Sequence, residues 1–207
     1  MIEHQVAAVR DVMAARPAGL VEHVERVLRE ARSLAASWDV DPQRVELAVW
    51  GHDLFRADDD AAQLRLAAEY GITVSEADRA KPLLLHGPNA AAFMRRDLGI
   101  DDDDVLEAVR CHTFGAPEAN SVARILLLAD KVEAHKRRSA PQLRGIRRLA
   151  ARDLDTALLC WSDWHWFRSR RKGWDVHPAH WRARQAWVEE HHVDLGVRPR
   201  ALRGDTG

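Results

Sequence analysis

The amino-acid sequence predicts an all-α protein arranged as one helical bundle. Three observations predict it. Apolar residues recur at three- and four-residue spacing along most of the chain, no pair of alternating strand segments stands out, and Gly, Pro and acidic caps separate the apolar stretches at helix-length intervals. The 207 residues, 46 % hydrophobic and 30 % charged, suffice for one full core or for a core with an appended subdomain.

The elements follow in order. Leu20, Val21, Val24, Val27, Leu28, Ala31, Leu34 and Ala35 form one apolar helix face. Asp41-Pro42 opens the next helix with Pro in its first turn; it carries Val45, Ala48 and Val49 and ends near His52-Asp53-Leu54-Phe55. A short helix over about 60–70 stops at Gly71, and one over 82–98 is closed by Gly99. Asp101–Asp104 reads either as a cation site or as the cap and acidic first turn of a helix Val105–His112. Consecutive acids at a helix start point in different directions, which favours the cap. A helix over 118–137 contains Ile125-Leu126-Leu127-Leu128-Ala129, apolar enough to be buried. After the basic link Lys136-Arg137-Arg138, two more helices are expected, over 146–172 and 178–192, and residues 196–207 read as a disordered tail.

The bulk numbers exclude some classes. A formal net charge of −1 gives no global field toward nucleic acid or an anionic membrane, so an anionic substrate must be held by local charge. His4, Arg10 and Asp11 interrupt the N-terminal stretch, which does not read as a signal peptide, and no run approaches the roughly 20 apolar residues of a membrane span. The expectation is a cytoplasmic protein with Cys111 and Cys160 reduced. Cys111, beside His112, is either a soft metal ligand or, the commoner role, a small buried hydrophobe.

Chemistry is concentrated in an ordered set: His23, His52-Asp53, His86, His112 and Asp130. Each lies at or near a helix end, and the gaps are about one helix plus one connection, so five helices can each send ligands to one centre. Neutral imidazole binds first-row divalent metals, and carboxylate adds hard oxygen and negative charge that can bridge two ions. Such a site can polarise a phosphoryl oxygen and activate water near neutral pH, which suits hydrolysis of a phosphate ester or anhydride. A single His-Asp pair is more often a capping Asp beside a half-buried His; the full ordered set carries the metal expectation.

On these residues the sequence resembles the HD-domain phosphohydrolases, and within them the YqeK family of symmetrical diadenosine tetraphosphate hydrolases. The resemblance rests on Val21-Glu22-His23, Gly51-His52-Asp53, Leu84-Leu85-His86-Gly87-Pro88, Arg110-Cys111-His112-Thr113 and Leu128-Ala129-Asp130, and continues through Asp153–Leu159, Val176-His177-Pro178 and Ala183-Arg184. It implies an all-α HD-domain helical bundle, with two C-terminal helices packed on the core. The metal core would span 1–138, with a C-terminal extension of the same domain over 139–195. It implies cleavage of diadenosine tetraphosphate to two ADP, one or two divalent transition metals (iron, with manganese or cobalt as substitutes), and a homodimer. The metal ligands would be His23, His52, Asp53, His86, His112 and Asp130, with Asp53 as the bridge. Arg56 would act as phosphate clamp, with Thr113, Gly115, Lys131 and Arg137 also near the substrate. Glu133 and either Lys136 or Arg137 match the segment after the last Asp. Four positions depart from the family pattern: Leu20 replaces an Arg, Val24 a Thr, Arg56 a Lys and Lys131 an aromatic. Two rival readings use the same site: a nucleotidase or other phosphomonoesterase, and a nucleotide-binding sensor with weak turnover.

Six of the eight tryptophans fall between Trp161 and Trp187. Trp161, Trp164 and Trp166, with Phe167, read either as a base-stacking platform or as core or interface packing, the plainer choice. His165, His177, His180, His191 and His192 are given no catalytic role. Neither a Walker-type loop nor a dinucleotide fingerprint occurs.

Overall fold

The computed structural model describes residues 2–194; the tail expected over 196–207 lies outside them. Helix α1 (Ile2–Ala14), which the sequence reading passed over, buries Val9 and Met13. Helix α2 (Ala18–Ser37) buries the 24/27/28/31/34/35 face, as its apolar spacing predicts. Helix α3 (Pro42–Gly51) begins at Asp41, whose carboxylate accepts from Gln43 N at 2.8 Å. Helix α4 (Asp60–Glu69) ends before Gly71, which turns the chain at φ +67°.

Between Gly71 and Gly99 the chain departs from the single helix expected over 82–98. Ser75 and Asp78 form a capping box that starts a short helix, α5 (Glu76–Ala80). A 3-10 turn (Pro82–Leu85) follows, and helix α6 (His86–Arg96) starts only then. Pro88 supplies the reason: it has no N–H to donate to the Leu84 carbonyl, so it is tolerated only in a first helical turn.

Helix α7 (Asp103–Cys111) is capped by Asp102, which accepts from Val105 N at 3.1 Å. Asp102 and Asp104 also bind Arg44. The helix expected over 118–137 is two: α8 (Ser121–Val132) and α9 (Ala134–Ser139). They part at Glu133, whose carboxylate accepts from His135 N at 2.7 Å and Lys136 N at 3.1 Å, restarting the helix as a cap. The helix expected over 146–172 also divides, into α10 (Leu143–Ala150) and α11 (Leu154–Arg171), because Asp153 caps the second. Helix α12 (Pro178–Asp194) closes the described chain, and there is no strand among the described residues.

Helix α8 is the axis of the fold. Every residue from Ile125 to Asp130 is buried, and α2, α3, α7, α10 and α11 all pack against it. A helix apolar all round can be stable only when enclosed in this way. Trp161 on α11 and Trp187 on α12 belong to the same continuous core, so the two C-terminal helices sit on the bundle. No described helix is long and apolar enough to cross a membrane.

Candidate metal centre

The six sequence-predicted ligands converge. His23 lies in the second turn of α2, His52 caps the C-terminus of α3 with Asp53 next, His86 begins α6, His112 caps the C-terminus of α7, and Asp130 sits in the last turn of α8. Gly87 permits the approach of α6 to α7: a Cβ there would stand 2.9 Å from the Val109 carbonyl oxygen and 3.2 Å from the His112 ring.

Three histidines are oriented by one device. The Nδ1 atoms of His52, His86 and His112 lie 2.6, 2.6 and 2.8 Å from the carbonyl oxygens of Val49, Leu83 and Val109, each three residues earlier. A carbonyl only accepts, so each Nδ1 carries the hydrogen and each Nε2 presents a lone pair. Those lone pairs face one another. His86 Nε2 and His112 Nε2 are 3.0 Å apart, and His52 Nε2 is buried with no hydrogen-bond partner among the described residues.

Asp53 is the hub. Its Oδ1 lies 3.1 Å from His86 Nε2 and 3.5 Å from His112 Nε2; its Oδ2 lies 3.5 Å from His52 Nε2 and 3.6 Å from His23 Nε2. Asp130 Oδ1 is 3.1 Å from His23 Nε2. Two donor groups, His23/His52/Asp130 and His52/Asp53/His112, are each close enough to hold one ion. Buried lone pairs and two carboxylates, with no proton between the imidazoles, fit a divalent cation. The N/O donor set, without thiolate, suits a first-row metal. Cys111 is outside this set: its Sγ faces the Ala108 carbonyl, and burial pushes the thiol up to about 12.

The electrostatics agree with a cation site. Burial drives His52 down to about 4 and lowers His112 as well, so both are neutral near pH 7. Burial alone would raise the Asp53 and Asp130 carboxyls, but the histidines around Asp53, and Lys131 and Lys136 beside Asp130, outweigh it and hold both well below the usual range. Lys131 Nζ and Lys136 Nζ each lie 2.5 Å from an Asp130 oxygen.

The cluster floors a cavity of about 750 Å³. Arg56, Thr113 and Lys131 line it, and Thr113 Oγ1 is 3.4 Å from His112 Nε2. Two expected substrate residues stand elsewhere. Arg137 donates to Glu30 and to the Val132 carbonyl, and Lys136 takes the place on the cavity wall. Gly115 is packed under the Trp187 ring at φ +81°, where a Cβ would meet that ring at 2.4 Å, and it lines a neighbouring groove. Among the departures from the family pattern, Leu20 lines the cavity, whereas Val24 is wholly buried in the core and does not. Glu133, 1 % exposed, is the α9 cap and pairs with Arg26.

The opposite wall takes up two of the four aromatics weighed as a stacking platform, Trp161 and Trp164, but not Trp166 or Phe167. Trp161, Trp164, His165 and Arg168 of α11 line the cavity, joined by Trp174, His177 and Lys81. The signal was present in the sequence: 161, 164, 165 and 168 fall on one helix face.

With this geometry in hand, known proteins supply a comparison. The HD-domain family model matches residues 20–135, more than half of the chain and the whole ligand set. The chain belongs to the HD family. The symmetrical bis(5'-nucleosyl)-tetraphosphatase of Halalkalibacterium halodurans is 33 % identical over 140 residues, 67 % of this chain and 72 % of that one. The enzyme of the same name from Bacillus subtilis is 29 % identical over 137 residues, 66 % of this chain and 72 % of that one. In three dimensions the chain is similar to the crystal structure of a predicted HD superfamily hydrolase involved in NAD metabolism from Clostridium acetobutylicum. That match has a TM-score of 0.82 and 25 % identity, and covers 89 % of this chain and 97 % of that one. This HD protein is a metal-dependent phosphohydrolase related to the symmetrical tetraphosphatases, with the His/Asp cluster of that superfamily in place. The HD match ends at residue 135, whereas the aromatic wall lies beyond it.

Proposed function

We propose that the protein hydrolyses a nucleotide phosphate anhydride, with diadenosine tetraphosphate, cut symmetrically to two ADP, as the leading substrate. The single observation that carries this reading is the charge around the cavity. Arg56, Lys81 and Arg168 reach it from three different segments, and none forms an ion pair among the described residues. Lys131 and Lys136 add two more ammonium groups beside Asp130. Five cations around one cavity offer more positive charge than a single phosphate carries negative charge, which favours a polyphosphate. The relatives named for the tetraphosphatase activity support the same choice.

In this reading His23, His52, Asp53, His86, His112 and Asp130 hold the metal, iron in the first instance, with manganese or cobalt as substitutes. Asp53 would serve as the shared ligand if two ions bind, since its two oxygens face different histidine pairs. When bound, the metal supplies Lewis acidity to the phosphoryl group and water of lowered pKa. The chain's own groups do the rest. The Nδ1–H bonds to Val49, Leu83 and Val109 fix each ligating ring. Lys131 and Lys136 orient Asp130 and offset charge on the leaving phosphate. Arg56 clamps a phosphate with its fork of donors. The metal core is assigned to 1–138, with 139–195 completing the cavity. A homodimer and a cytoplasmic setting, the latter suggested by free Cys111 and Cys160, belong to the same proposal.

The test is product identification. Protein supplied with iron(II), manganese or cobalt is incubated with diadenosine tetraphosphate and, separately, with mononucleotides. Two ADP per dinucleotide are expected. Inorganic phosphate from a monophosphate, with the dinucleotide intact, would replace this reading with a phosphomonoesterase. Tight dinucleotide binding without product would replace it with a sensor.

A further inference from the structure

The aromatic wall is not explained by metal binding or by core packing. Arg168 lies half-buried on α11 with its guanidinium carbon 5.5 Å from the centre of the Trp164 ring and 5.2 Å from that of Trp174. It has no carboxylate partner among the described residues, although other arginines of the C-terminal helices do: Arg184 binds Asp163, and Arg147 binds Glu30. Two indoles thus hold the guanidinium by cation–π attraction, which uses its faces and leaves its N–H edge unspent. Trp174 is 49 % exposed, so its ring is open to a ligand, and it lines the same cavity as the His/Asp cluster. Lys172 Nζ lies 4.4 Å from the centre of its ring.

We propose that Trp164, Arg168 and Trp174 form the nucleoside subsite of this enzyme. Trp174 stacks a nucleobase, and Arg168, held against both indoles, donates to the phosphate next to the ribose. The proposal rests on the reading of the substrate as a nucleotide polyphosphate. Its chemistry is general: every base offers a π-face to an indole, and an arginine fork matches phosphate oxygens. The subsite lies entirely on residues after 135, outside the segment matched by the family model, so the C-terminal helices would set the specificity of a metal centre built by the rest of the chain.

The experiment compares a ligand with a base and one without. Binding of ADP and of inorganic pyrophosphate to the metal-loaded protein is measured by calorimetry, alongside steady-state kinetics with diadenosine tetraphosphate. Stacking of one base is worth about 1–3 kcal/mol. Trp174→Ala is therefore expected to weaken ADP binding roughly tenfold more than pyrophosphate binding and to raise KM for the dinucleotide more than it lowers kcat, with Trp174→Phe restoring most of the loss. Arg168→Ala is expected to weaken both ligands. Trp181→Ala, an exposed tryptophan that does not line the cavity, should leave all three measurements unchanged. Equal losses for ADP and pyrophosphate in Trp174→Ala, or none for either, would overturn the proposal. A wild type that cleaves no anhydride yet loses ADP affinity in Trp174→Ala would keep the subsite and refute the enzymatic reading. One that cleaves the dinucleotide with KM unmoved in Trp174→Ala would do the reverse.

Discussion

At the scale of single residues, the site depends on where protons sit. His52 is fully buried, and burial lowers it to about 4; His165, on the cavity wall, is lowered to about 4 for the same reason. In the unfolded chain both titrate near 6.5. Between about pH 6.5 and 4 the unfolded chain therefore binds more protons than the folded one, and the metal-free protein loses stability as pH falls through that window, levelling off for these two groups below it. Urea unfolding of metal-free protein at pH 7 and pH 5 checks this; equal stability at the two values would show that these rings are not held neutral. The convergence of the six His and Asp side chains was legible because each sits at or near a helix end with helix-length gaps. That Lys136 rather than the expected Arg137 faces the cavity was not legible, because neighbouring positions on a helix point about 100° apart and the packing of Arg137 on Glu30 decides between them.

At the scale of elements, caps decided what periodicity did not. Apolar spacing located α2, α3 and α4, and Pro42, Gly71 and Gly99 marked ends correctly. The long helices expected over 118–137 and 146–172 were each split by one acid, Glu133 and Asp153. Neither acid interrupts the apolar pattern, so period counting runs through both. Asp153 accepts from Thr156 N at 2.9 Å and from Thr156 Oγ1 at 2.6 Å. Its replacement by Ala should cost about 1 kcal/mol of stability, the usual value of such a cap. Chemical unfolding of Asp153→Ala reads this directly, and an unchanged midpoint would mean that tertiary packing alone starts α11. Helix α11, which starts at this cap, carries the 161/164/165/168 face that lines the cavity.

At the scale of the whole molecule, a buried central helix and four helix ends assemble a negative, lone-pair-rich centre beneath a cationic and aromatic wall. The lower half was visible from sequence, since the ligand types and their order are themselves the signal. The upper half was harder to read because Trp is as common in cores as in binding walls, and only the fold separates Trp187, buried away from the cavity, from Trp161, Trp164 and Trp174, which line it. The central claim is that six side chains from five helix ends hold a divalent metal. Elemental analysis of the purified wild type beside Asp53→Ala tests it most directly. One to two equivalents of a first-row divalent metal per chain are expected in the wild type and loss of that metal in the variant, whereas equal metal content in the two proteins would show that Asp53 holds none.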